Sequence, residues 1–149
     1  MPIGDICVRE VVTATRETTV QQAAQLMREN HVGDLLVVEH VNGVRRPVGI
    51  VTDRDIAVTV VAPGLDPAVL SVGDIMGPEL KTVAEDEGIF ETLHQMRDAG
   101  VRRIPVVTNQ NALAGIVSTD DIVQLLADEM NEVAKLISRE QRREMVTRR

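Results

Sequence analysis

The sequence predicts an α+β protein made of two similar halves in tandem, and three observations predict it. First, the chain matches itself when shifted by 69 positions: Asp5-Ile6 falls on Asp74-Ile75, Glu10 on Glu79, Thr13 on Thr82, Met27-Arg28 on Met96-Arg97, and Val37-Val38 on Val106-Val107. Past a loop three residues longer in the first copy the offset becomes 66, setting Gly49-Ile50-Val51 on Gly115-Ile116-Val117 and Asp55-Ile56 on Asp121-Ile122. Matches in the same order on both sides of one insertion mark a duplication. Second, each copy alternates helical apolar spacing with short unbroken apolar runs. Third, 24 valines and a single aromatic residue, Phe90, among 149 residues call for an aliphatic core with much sheet in it.

Each copy reads as strand, helix, strand, strand, helix. Thr19 with Gln22 three residues later is a capping-box pattern, and Val20, Ala23, Ala24 and Met27 follow on one helical face. Ile89, Leu93 and Met96 mark the same face in the second copy. The runs Leu35 to Val38 and Ile104 to Val107 suit buried strands. Turns follow at Asn42-Gly43, a strong hairpin signal, and at Asn109 to Asn111. They lead into strands Val48 to Val51 and Leu113 to Val117, with the closing helices starting near Thr52 and Ser118. Pro63-Gly64-Leu65-Asp66-Pro67 reads as a linker. The expected organisation is therefore repeat one over 5–62, linker 63–73, repeat two over 74–128 and a helical extension over 129–149. Along the last helix, Ile122, Leu125, Leu126, Val133, Leu136 and Ile137 form an apolar stripe longer than one repeat covers, which suggests packing against the other copy or, the favoured reading, against a partner subunit.

Composition narrows the function. A formal charge of −7 and the lack of aromatic platforms argue against nucleic-acid binding. The arginines at 139, 142, 143, 148 and 149 read as the solvated end of a helix. No run reaches the length a membrane span needs, and the N-terminus lacks the pattern of a signal peptide. Cys7 is the only cysteine, so no intrachain disulfide forms and a cytoplasmic setting is expected. The three histidines lack metal-ligand spacing, and Cys7 has no identifiable histidine partner. Neither a metal site nor an enzyme is expected.

One motif carries chemistry. Gly49-Ile50-Val51-Thr52-Asp53-Arg54-Asp55 and Gly115-Ile116-Val117-Ser118-Thr119-Asp120-Asp121 each set a hydroxyl residue where a strand becomes a helix, with an aspartate three positions on. One reading is an N-cap contributing about 1 kcal/mol. The other is a ligand site: free amides and the hydroxyl hold a phosphate, while the carboxylate accepts the hydroxyls of a ribose. Spacing alone serves either reading.

The duplicated motif, with the opening Asp-Ile, the Thr before the first helix and Ile104-Pro105-Val106-Val107, resembles the cystathionine-β-synthase (CBS) domain family over residues 5 to about 128. The resemblance implies two tandem CBS repeats packed with pseudo-twofold symmetry, and clefts that bind AMP, ADP, ATP, S-adenosylmethionine or a related adenine compound as a regulatory ligand. No cofactor is implied. It assigns Thr52 and Asp55 to one cleft, Ser118 and Asp121 to the other, and Thr13 and Thr82 to secondary contacts. Backbone near the second strand, around Ile104 and Pro105, would meet the base.

The copies differ where Arg102-Arg103 of the second stands against Gly33-Asp34 of the first. Arginines attract phosphate, so the Ser118/Asp121 cleft is expected to bind it better, with Arg54 compensating in part in the other. Solvated charge at a strand edge is the plainer reading of the pair. The family commonly forms homodimers, and an adenine-sensing regulatory homodimer, with a possible further target protein, is the expected function. The alternative is a ligand-free structural or interaction module acting through the C-terminal helix.

Overall fold

The computed structural model describes residues 1–148, so Arg149 of the basic tail lies outside the described residues. The first copy runs β1 (Thr13–Ala14), α1 (Val20–Asn30), β2 (Asp34–Val41), β3 (Val44–Thr52) and α2 (Asp53–Asp55), which continues as a π-helical stretch, Ile56–Val61. A short helix, α3 (Val72–Ile75), precedes the second copy: β4 (Val83–Ala84), α4 (Ile89–Ala99), β5 (Arg103–Val107), β6 (Leu113–Ser118) and α5 (Thr119–Thr147). Each copy holds a three-stranded sheet in chain order, its first pair parallel and its second antiparallel. Two tandem repeats plus a long C-terminal helix make up the α+β architecture.

Local chemistry accounts for the elements. Thr19 and Gln22 close the expected capping box, and α1 buries Val20, Ala23 and Met27. Asn42 and Gly43, at φ 53° and 75°, make the tight turn between paired Val41 and Val44. Helices α1 and α4 both end in a left-handed residue, His31 in the first and Gly100 in the second. Phe90 is 60% exposed, so both cores are wholly aliphatic apart from their methionines and Cys7.

The repeats exchange their leading segments. Ile3 and Cys7 lie in the core of the second repeat with Val83, Ile89, Met96, Ile104, Val106, Val117 and Ile122. Ile3 donates its amide to Glu87 and Gly4 donates to Glu85, while Val8 and Ile116 exchange backbone bonds of 2.8 and 3.0 Å. Reciprocally, Val72 lies in the core of the first repeat, with Ile75 and Met76 packed against it. Val72 and Gly73 donate to the carbonyls of Thr18 and Arg16. Full burial of Ile3 alone contributes about 1.5–3 kcal/mol to holding its segment in place.

The glycines of the repeated motif permit these crossings. A Cβ on Gly115 would stand 2.6 Å from the Val8 carbonyl oxygen and 2.7 Å from Cys7 Sγ. One on Gly49 would stand 2.7 Å from Met76 Sδ. Strands β3 and β6 then face each other across the junction.

Candidate functional site

Both strand-to-helix junctions are closed by capping boxes. Thr52 Oγ1 accepts the Asp55 amide at 3.0 Å, and Asp55 Oδ2 accepts the Thr52 amide at 2.9 Å. Ser118 Oγ accepts the Asp121 amide at 3.2 Å, and Asp121 Oδ2 accepts the Ser118 amide at 2.8 Å. The cap reading is therefore true of both. It engages Oδ2 of each aspartate and leaves Oδ1 without a hydrogen bond among the described residues.

A cavity lies at each junction, and both are composite. The one at Ser118 and Asp121 has a volume of about 210 Å3 and is lined by Val8, Glu10, Val11, Val12 and Ile116. Val32, Asp34, Leu36 and Arg103 complete the lining. The one at Thr52 has a volume of about 510 Å3 and is lined by Ile50, Gly77, Glu79, Leu80, Lys81, Ala99, Val101, Arg102 and Arg103. Glu10, Val11 and Val12 correspond to Glu79, Leu80 and Lys81 at the 69-residue offset, and Val32 to Val101. The two cavities are equivalent places in a pseudo-twofold pair. In each, the hydroxyl residue comes from one repeat and the opposing strand edge from the other.

That exchange corrects the expected charge balance. Arg102 lines the Thr52 cavity, not the Ser118 one, even though its carbonyl accepts the Thr119 amide at 2.8 Å. Its counterpart Gly33 lines neither cavity. Arg103 lines both and holds Asp34 through Nε at 3.2 Å. Burial pushes the Asp34 carboxyl above its ordinary range; Arg103 opposes the shift and Asp53 adds to it. The cations thus gather at Thr52, while Glu10, Asp34 and Asp121 face the Ser118 cavity.

Other expected residues fall elsewhere. Arg54 is exposed and lines neither cavity. Thr13 pairs with Leu36 inside its sheet, and Thr82 borders a separate groove with Glu39, Arg46 and Asn111. Ile104 is committed to the core, and Pro105 is buried beside Ile116 without reaching either cavity. The residues that form much of the lining instead, Val8 and Glu10 to Val12 in one cavity and Gly77 and Glu79 to Lys81 in the other, lie just before Thr13 and Thr82. The repeated Glu10/Glu79 pair was the one sequence signal for them. Among the described residues no cluster of His, Cys, Asp and Glu is placed to hold a metal ion, and no helix is long and apolar enough to cross a membrane.

Comparison with known proteins agrees with this arrangement. The uncharacterized protein MK0525 of Methanopyrus kandleri is 36% identical over 123 residues, which are 83% of this chain; the chain spans 61% of that relative's length. The CBS domain pair of protein MJ0100, solved with 5′-methylthioadenosine and S-adenosylmethionine, superposes with a TM-score of 0.74 at 25% identity over 87% of this chain and 98% of that one. A CBS domain protein from Pyrobaculum aerophilum, complexed with AMP, gives 0.71 at 26% identity over 81% and 89%. The CBS domain itself matches residues 3–61 and again 72–128, and the chain belongs to the CBS domain family as a tandem pair.

Proposed function

We propose that the protein is a cytoplasmic regulatory module that binds an adenine nucleotide of the AMP, ADP or ATP class between its repeats and catalyses nothing itself. The observation that carries this reading is the pair of equivalent cavities, each reaching the hydroxyl residue of a Ser/Thr-x-x-Asp cap; Asp121 lines its cavity, while Asp55 stands behind Thr52 outside the lining of the other. Aliphatic side chains contributed by both repeats, such as Val12 and Ile116, suit a base held without aromatic stacking. The adenosine compounds bound by the two related structures support the same ligand class. Because each cavity draws on both repeats, an occupant favours one arrangement of the pair by its differential affinity, and signalling is that population shift. Thermal melts with AMP, ATP and S-adenosylmethionine test it: a ligand at 100 times its dissociation constant adds about 2.7 kcal/mol. No shift with any of the three refutes the reading.

The readout runs through α5, by a homodimer. Of its apolar residues, Ile122 is buried and Leu125 packs on the core, whereas Val123, Leu126, Met130, Val133 and Ile137 are exposed at spacings of three and four. Such a seam suits a second helix. Its charges are segregated: Asp120, Asp121, Asp128, Glu129 and Glu132 precede Lys135, Arg139, Arg142, Arg143 and Arg148, with only Glu140 and Glu144 out of place. Antiparallel pairing with a second copy, crossing near Val133, sets acidic halves against basic ones. Sedimentation should give a dimer that Met130→Glu with Val133→Glu converts to a monomer. A wild-type monomer with an unchanged melting point would instead point to a different protein as the partner.

A further inference from the structure

We propose that the two clefts divide adenosine compounds by charge: the Thr52 cleft takes the phosphorylated nucleotide, and the Ser118 cleft takes an uncharged adenosine derivative. The proposal rests on the adenine-binding reading above and concerns which chemistry each cleft accepts. The two cavities are equivalent positions in a duplicated fold, so the differences between them are informative.

The first difference is charge. The Thr52 cavity is lined by Lys81, Arg102 and Arg103 against Glu79, with Asp55 beside Thr52. The Ser118 cavity is lined by Glu10, Asp34 and Asp121 against Arg103 alone, and Arg103 already holds Asp34 at 3.2 Å. Three of the exchanged positions account for this: Lys81 stands where the other cleft has Val12, Arg103 where it has Asp34, and Arg102 at the position of Gly33, which lines neither cavity. A phosphate entering the Ser118 cleft meets three carboxylates and one guanidinium whose Nε is engaged. The same phosphate in the Thr52 cleft meets Lys81 and Arg102 besides that shared guanidinium, against Glu79, a balance that retains phosphate.

The second difference is room. At about 510 Å3 the Thr52 cavity is within the usual range for small-ligand pockets, which begins near 300 Å3. At about 210 Å3 the Ser118 cavity is below it, and Arg103 and Asp34 stand in its wall. Its lining is the more aliphatic: Val8, Val11, Val12, Val32, Leu36 and Ile116. A nucleoside offers this cleft a base for the apolar wall and ribose hydroxyls for Asp121 Oδ1, without a phosphate to place.

Calorimetric titration of the full chain with AMP and with adenosine tests the division. Lys81→Ala with Arg102→Ala should weaken AMP at least tenfold and leave adenosine within about twofold. Asp121→Asn, which keeps an acceptor for the Ser118 amide, should do the reverse. Without any variant, protein saturated with AMP should still bind adenosine at one site per chain, so a misfolded mutant cannot hide the result. If AMP abolishes adenosine binding, or Asp121→Asn weakens AMP while the double variant does not, the division is overturned and the adenine reading stands. If neither compound binds the wild type, both fall together.

Discussion

Replacing Gly115 by alanine tests the crossing of the leading segments, on which the composite clefts depend. The new Cβ would lie 2.6 Å from the Val8 carbonyl oxygen and 2.7 Å from Cys7 Sγ, closer than real Cβ contacts come. The nearest obstacle is backbone, and that backbone is tied to β6 by two bonds between Val8 and Ile116. Relief therefore requires the segment to lift off the strand, stretching bonds worth about 0.5–1.5 kcal/mol each. Overpacking of this kind costs about 1–3 kcal/mol, against about 0.4–1 kcal/mol regained because alanine restricts the unfolded chain. The net loss should be about 1–2 kcal/mol, or roughly 2–8 °C in melting temperature for a chain of this size. Gly49→Ala is the control. Its Cβ would meet Met76 Sδ, the tip of a flexible side chain, and should cost less than half as much. Differential scanning calorimetry of both variants decides it. A Gly115→Ala protein melting at or above wild type, or equal losses at the two sites, would refute the crossing as described.

His31 occupies a left-handed position at φ 54° where the other repeat has Gly100, so His31→Gly should stabilise by about 0.5–1 kcal/mol in urea unfolding; a loss would show that the His31 side chain is doing something the backbone does not reveal. Because Asp34 holds its proton more tightly folded than unfolded, its contribution is fully present below its ordinary value of 3.8 and lost as pH rises through the higher folded value. Stability of wild type relative to Asp34→Asn should fall as pH is raised from 3 through that window, and a rise measured by denaturant melts would contradict it. Burial pushes the Cys7 thiol up and encloses it, so a disulfide reagent should label it at least about a hundredfold more slowly in the native protein than in urea. Rapid native labelling would mean that the leading segment is not docked.

Much of the fold could be read from residues near one another in the chain. The Thr19–Gln22, Thr52–Asp55 and Ser118–Asp121 boxes, the Asn42-Gly43 turn and the aliphatic strands all rest on local rules, and each is where those rules put it. The crossing rests on contacts between residues more than fifty positions apart, such as Ile3 with Glu87, Val8 with Ile116 and Val72 with Thr18. A three-residue turn at Ile3–Asp5 has no periodicity that would announce a core element. A fourth capping box, Ser71 with Asp74, straddles the boundary between the stretch that reads as linker and the start of the second repeat. The crossing has a direct consequence at the site: sequence proximity pairs Arg102 and Arg103 with Ser118 of their own repeat, whereas in the fold Arg102 lines the Thr52 cavity and Arg103 borders both.

The exchange also explains why one position shapes both clefts. Asp34 and Arg103 are equivalent residues, and the pseudo-twofold arrangement brings them face to face at 3.2 Å. Two aspartates or two arginines there would repel, by between about 1 kcal/mol in full solvent and about 4 kcal/mol near a protein surface. One of each attracts. The charge difference that joins the repeats at this point therefore also makes their cavities unlike, since each residue faces a cleft completed by the other copy. Changing Asp34 to arginine would match the linings but set two guanidinium groups against each other. In this fold, joining the repeats through that pair and keeping two identical ligand sites are incompatible demands.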